Sequence, residues 1–160
     1  MERFRLGTWE SLREEHLEIF ARVNLLEKAL RDVLQKHTTG LEKTSEQQRD
    51  FLEAFGQGIA LHFTVEEKAL FPALREKGKD AEKLVDDLLL QHQSIMEKHG
   101  KIMQATYTEE EKREFLLELA RELAEHSLKE ERSIPSIVAQ IGLEQLREID
   151  RTAKGLGYNV

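Results

Sequence analysis

Two short phrases of this sequence carry side chains that can do chemistry together. LHFTVEEKALFPAL, residues 61–74, sets His62 four residues before Glu66, and HSLKEERSIPSIV, residues 126–138, sets His126 four before Glu130. One turn of helix brings an imidazole and a carboxylate at that spacing onto the same face. Each phrase adds a second glutamate (Glu67, Glu131) and a proline (Pro72, Pro135) at nearly the same offsets. A single His-x-x-x-Glu is what a glutamate-rich helical chain produces by chance. A pair of them on two apolar stripes reads as two halves of one metal site. Imidazole and carboxylate without thiolate suit iron, manganese or zinc. With His16 and His92 the set grows to six, too many for one tetrahedral zinc and right for two metals sharing carboxylates.

The elements that must position these residues follow from periodicity. Trp9, Leu12, His16, Ile19, Val23, Leu26, Leu30, Val33 and His37 recur at three- and four-residue steps and predict a first helix from Thr8 to about His37. Residues 38–45 are polar and read as a loop, and Ser45 with Gln48 resembles a capping box opening a second helix. That helix turns Phe51, Phe55, Ile59, His62, Glu66 and Ala69 inward and stops near Gly78. Pro72 is expected to kink it, because it removes a hydrogen bond and crowds the carbonyl of Lys68. Asp80 is the expected N-cap of a third helix with the stripe Val85, Leu88, His92, Ile95, His99 and Ile102. Thr108 with Glu111 forms a second capping box before a fourth helix carrying Phe115, Leu119, Leu123, His126 and Glu130. After Gly142, Leu143, Leu146 and Ile149 predict a short amphipathic helix closing one end, with a tail from Lys154 to Val160 expected to fray.

Four long amphipathic helices with short connections predict an all-α, up-down-up-down four-helix bundle, with the short C-terminal helix added. With a rise of roughly 1.5 Å per residue, His16 stands about 12 Å from the end where the chain starts, His62 and His126 about 22 Å, and His92, Glu66 and Glu130 about 16 Å. Four histidines, one per helix, and two carboxylates thus converge on one level. With Glu66 and Glu130 as bridges, each of two ions takes two imidazoles and keeps a position for an exogenous small molecule beside an oxo or hydroxo bridge. Iron fits such a paired centre best, and its partners would be O2, peroxide or NO.

The totals bound the rest. The chain has 160 residues, 34% of them charged, two prolines and a net charge of −7. It reads as a single domain over 1–160, with a core at 8–138 and the C-terminal helix and tail at 143–160. The negative balance argues against nucleic acid or an anionic membrane as partner. No cysteine is present, which removes disulfides and thiolate ligands. No apolar run approaches the roughly 18 residues of a membrane span, and MERFRLGTWE has no signal-like apolar region, so the expected location is the cytoplasm.

The full pattern resembles the hemerythrin-like (HHE cation-binding) domains: a histidine early in helix one, H-x-x-x-E followed by L-F-P in helix two, a histidine in helix three, and H-x-x-x-E-E followed by proline in helix four. The resemblance covers about Thr8 to Val138. It implies a non-haem di-iron bundle that binds oxygen or a related small molecule, or that senses or handles iron. Carried over by position, the ligands are His16, His62, Glu66, His92, His126 and Glu130. The oxygen-carrying members resemble this chain except that their third helix has H-x-x-x-H, where Leu88 and Met96 stand here. Their last carboxylate also follows its histidine by five residues, which would select Glu131; Glu130 is preferred because it repeats the spacing of helix two. A missing fifth imidazole argues against reversible O2 carriage and for a more reactive or sensory centre. The four-histidine, two-glutamate variant is similar to domains associated with nitric-oxide response and iron–sulfur repair, which often carry a cysteine-bearing N-terminal segment.

Two other functions use the same scaffold: a di-iron oxidase, peroxidase or NO-reacting enzyme, and a metal-stabilised regulatory module with residues 143–156 as a partner surface. The assembly is expected to be a monomer or a homodimer. Of the remaining histidines, His37 lies roughly 32 Å along the helix from His16 and suits a helix C-terminus. His99 is either a core histidine or a proton-handling neighbour of the site. Gly58, one turn before His62, serves either close helix packing beside Gly56 and Ala60 or an opening for a gas or peroxide.

Overall fold

The computed structural model describes residues 5–36, 48–53 and 55–160. Among them there is no strand, and the elements are helices in the order the periodicity predicts. His37, the polar stretch 38–45 and Ser45 of the first expected capping box lie outside the described residues. Helix α1 is Gly7–Lys36. Its stripe Trp9, Leu12, His16, Ile19, Val23, Leu26 and Leu30 is buried.

Helix α2, described over residues 48–53 and 55–75, is not a plain α-helix. It contains π-helical turns at Phe55–Ile59 and Glu66–Leu70, on either side of the α-helical turn Ala60–Val65 that carries His62. The second π turn is how the chain accommodates Pro72. The Phe71 N–H reaches back five residues to the Glu66 carbonyl, and Pro72 then stands in the first turn of Phe71–Arg75, where a missing N–H costs little. The hydrogen bond that Pro72 cannot make is thus accommodated by a widened turn that begins at Glu66, and such turns recur at functional sites.

Helix α3 is Lys79–Ile102. Its N-cap is Gly78, with φ of 120°, a conformation that a Cβ disfavours; Asp80, the expected cap, lies instead within the first turn and complements the helix dipole there. Helix α4 is Glu109–Val138. The Thr108 hydroxyl accepts the Glu111 N–H at 3.1 Å, and the Glu111 carboxylate accepts the Thr108 N–H at 3.2 Å, completing the predicted capping box.

Helix α5 is Leu143–Gly155. Leu146, Ile149 and Ala153 bury its apolar face against α1 and the π turn of α2. Asp150 caps α1 from the far end of the sequence: one oxygen takes the Thr8 N–H at 2.8 Å and the Thr8 hydroxyl at 2.6 Å, and the other takes the Gly7 N–H at 3.3 Å. The tail does not fray. The Tyr158 N–H bonds the Ala153 carbonyl at 3.0 Å, its ring is buried, and the Ser11 hydroxyl bonds the Asn159 carbonyl at 2.9 Å.

The apolar interior is in two parts. One contains Leu12, Leu70, Leu74, Leu88 and Ile134, the other Ile19, Phe63, Ile95 and Leu123. On every long helix the break between them falls at the histidine and glutamate positions, so a polar layer divides the core. No helix among the described residues is long and apolar enough to cross a membrane.

Candidate metal centre

Each long helix sends one imidazole into the dividing layer. His16, His62, His92 and His126 are at most 2% exposed, and Glu66 and Glu130 are fully buried. The Nε2 atoms of His16 and His62 lie 3.1 Å apart, and those of His92 and His126 lie 3.0 Å apart. Glu66 touches His62 Nε2 with one oxygen and stands 3.6 Å from His92 Nε2 with the other. Glu130 touches His126 Nε2. Two overlapping quartets result, His16–His62–Glu66–Glu130 and His92–His126–Glu66–Glu130, each with its ligand-type atoms within 4.8 Å of one another. Glu66 and Glu130 belong to both.

The outward edges of the same rings reveal four residues that the sequence reading did not single out for this role. His62 Nδ1 faces Glu15 at 2.5 Å, His92 Nδ1 faces Glu67 at 2.9 Å, His126 Nδ1 faces the Gln91 side-chain oxygen at 2.7 Å, and His16 Nδ1 faces Glu131 at 2.8 Å. They form a closed ring: α1 supports the histidine of α2, α2 that of α3, α3 that of α4, and α4 that of α1. Every one of the four is the immediate neighbour in sequence of a residue in the polar layer. One step along a helix turns roughly 100°, enough to aim the neighbour at the adjoining helix. Glu131 is thus an outer partner of His16, also paired with Arg13 at 3.2 Å, whereas Glu130 is the carboxylate in the layer.

This ring decides the chemistry of the inner atoms. An acceptor at Nδ1 fixes the tautomer with hydrogen on Nδ1, which leaves a lone pair on every Nε2. Four lone pairs then face four carboxylate oxygens, and none of those oxygens accepts a hydrogen bond. Acceptor crowds acceptor in a buried layer, an arrangement that is costly without a cation between them. The donor set and its orphaned oxygens fit two metal ions, with nitrogen and oxygen ligands for iron, manganese or zinc.

Without metal, protons take up part of that role. Burial lowers the pKa of His62, but the adjacent Glu66 and Glu15 outweigh it and bring it up to about 9. Burial likewise acts to raise Glu66, yet the positive His62 holds it well below the ordinary carboxylate range. Glu130 is pushed well above that range by burial and by the negative charge on Glu66. Burial lowers His16, and it lowers His126 to about 3.

His99 is outside the layer. It is half-buried and stacks on Phe55 with ring centroids 4.3 Å apart. A Cβ built on Gly58 meets no atom within 4 Å, so close helix packing does not explain this glycine. It lines a cavity of about 110 Å³ that Glu15, Arg22 and His62 also border. A second cavity, about 280 Å³, reaches His92 past Phe63 and Met96.

No curated protein and no solved structure matches this chain. A family does: the Hemerythrin HHE cation binding domain, over residues 8–138. That match begins at the Thr8 capped by Asp150, ends with α4 and takes in every residue of the polar layer, and the chain belongs to the hemerythrin HHE cation-binding family.

Proposed function

We propose that this chain is a non-haem di-iron protein that binds a small oxidising or diatomic ligand, O2, NO or peroxide, in sensing, iron handling or stress response in the cytoplasm. The observation that carries the reading is the inward-facing set of four Nε2 lone pairs and four unpartnered carboxylate oxygens. His16 and His62 would hold one ion, His92 and His126 the other, and Glu66 and Glu130 would span both. Bound iron would supply redox chemistry and open coordination positions. The chain's residues do the rest: the outer ring fixes the imidazole tautomers, the two core halves exclude water, and Gly58 keeps a passage beside His62.

The reading includes an up-down-up-down bundle forming one domain over the chain, and two observations support it. In α1 and α3 the residue numbers rise from the Leu12–Leu88 half of the core to the Ile19–Ile95 half; in α2 and α4 they rise the other way. The outer ring has the same signature. Its members precede their neighbours in the layer on α1 and α3 (Glu15, Gln91) and follow them on α2 and α4 (Glu67, Glu131), as helices of alternating direction require to point the same way round.

The test is rapid mixing of the reduced, iron-loaded protein with O2, NO and peroxide in turn, followed by absorption. Saturable spectral change with one of them, without sustained consumption, supports a binding protein; continued turnover makes it an enzyme. No change with any of the three contradicts the proposal.

A further inference from the structure

The outer ring has one member unlike the others. Three imidazoles give their Nδ1 hydrogen to a carboxylate, Glu131, Glu15 or Glu67; the fourth, His126, gives it to the neutral amide oxygen of Gln91 at 2.7 Å. A carboxylate acceptor makes the opposite ring nitrogen a stronger donor to a metal, and an amide does so less. The two quartets are otherwise matched, with two histidines each and the same two glutamates. Arg13 partly offsets the Glu131 charge, but it is half exposed and leaves the hydrogen bond to His16 in place.

Gln91 also borders an open cavity of about 470 Å³ that Lys98, Glu118, Arg121, Glu122 and Glu125 line with it, against about 280 Å³ beside Glu67 and about 110 Å³ beside Glu15. Lys98 there is engaged by Glu122 and by the Ser94 hydroxyl at 3.0 Å. His126 is therefore the imidazole with the weakest outer support, and that support borders an open recess.

We propose that the two metal positions are inequivalent, that the one held by His92 and His126 is the exchangeable position, and that Gln91 is the positioning residue that makes it so. This inference rests on the two-metal reading above. The His16–His62 position fills first and empties last; the His92–His126 position is where metal enters and leaves. The effect is one of outer-partner chemistry, and changes of that kind move metal affinity by roughly 10- to 100-fold.

The test uses cobalt(II) under anaerobic conditions, loaded into the full chain and withdrawn by excess chelator while its absorption is followed. Two release phases are expected, separated by about tenfold or more. Gln91→Glu should slow the fast phase toward the slow one, and Glu15→Gln should accelerate the slow phase alone. Gln91→Ala, which removes the outer partner without adding a charge, should retain two phases. A single release phase for two cobalt ions overturns this inference and leaves the two-metal site standing. So does a fast phase that ignores Gln91→Glu, or one that responds to Glu15→Gln instead. Uptake of fewer than two ions overturns the two-metal reading and this inference with it.

Discussion

Metal loading should expel protons, and the number follows from how the polar layer holds charge when empty. At pH 7, His62 with its pKa brought up to about 9 carries a proton that must leave before Nε2 can ligate. Glu130, raised by burial and by Glu66, gives up a second. Glu66 is already ionised, and His16 and His126 are already neutral, so they contribute none. The expected release from these groups is about two protons per chain, so the overall affinity for the pair of ions should climb by about two log units per pH unit, about one per ion, while both groups remain protonated. Calorimetric titration of zinc(II), a redox-silent probe, in buffers of different ionisation enthalpy measures the count directly. The metal-free protein should show the opposite trend. A histidine whose pKa is raised on folding stabilises fully below about pH 6.5 and loses that contribution as pH rises through its folded value. For His62, from 6.5 to about 9, the contribution is ~3 kcal/mol. The melting temperature without metal should therefore fall between pH 6.5 and 9, and the stabilisation by metal should widen. Proton uptake on binding, or affinity flat from pH 6 to 8, would refute the charge distribution argued here.

Three substitutions probe the scaffold and the passage. Asp150→Ala strands the buried Thr8 hydroxyl and the first N–H groups of α1, and should cost about 2–3 kcal/mol in chemical denaturation while metal content stays intact. Leu88→Ala, at a fully buried position beside the layer, should cost about 2–5 kcal/mol. Gly58→Leu fills the cavity next to His62 without meeting any atom at its Cβ; it should slow reaction of the iron-loaded protein with its small-molecule ligand and leave metal content unchanged. An unchanged rate in stopped flow would assign access to the cavity at His92 instead.

Much of this was legible in the residues, and what was hidden was hidden for physical reasons. His16 sits inside the α1 stripe and His92 inside that of α3, so a 3.6-residue period alone turns them inward. The Thr108–Glu111 box announces α4 because both of its hydrogen bonds are local. The outer ring is different. Glu15, Glu67, Gln91 and Glu131 each serve a histidine on another helix, and in a chain with 31 acidic residues nothing local distinguishes them. Their one signature is adjacency to an inner residue, on the side that helix direction dictates. The widened turn before Pro72 depends on what the surrounding helices allow, so a local rule sees only a kink. Asp150 caps a helix that begins 143 residues earlier, a pairing that no short-range pattern contains. The same holds for the tail, whose glycines suggest freedom while Tyr158 and Asn159 bind it to the body of the protein.

The central claim is that the polar layer is built around two cations, and metal content tests it most directly. Protein stripped of metal, reconstituted with ferrous iron without oxygen and passed through a desalting column should retain about two irons per chain. Replacing both Glu66 and Glu130 by Ala should bring that number near zero while the helical circular dichroism persists. A native chain that folds fully and retains no iron, manganese or zinc would contradict the claim, and the six residues would then be a polar core held together by protons alone.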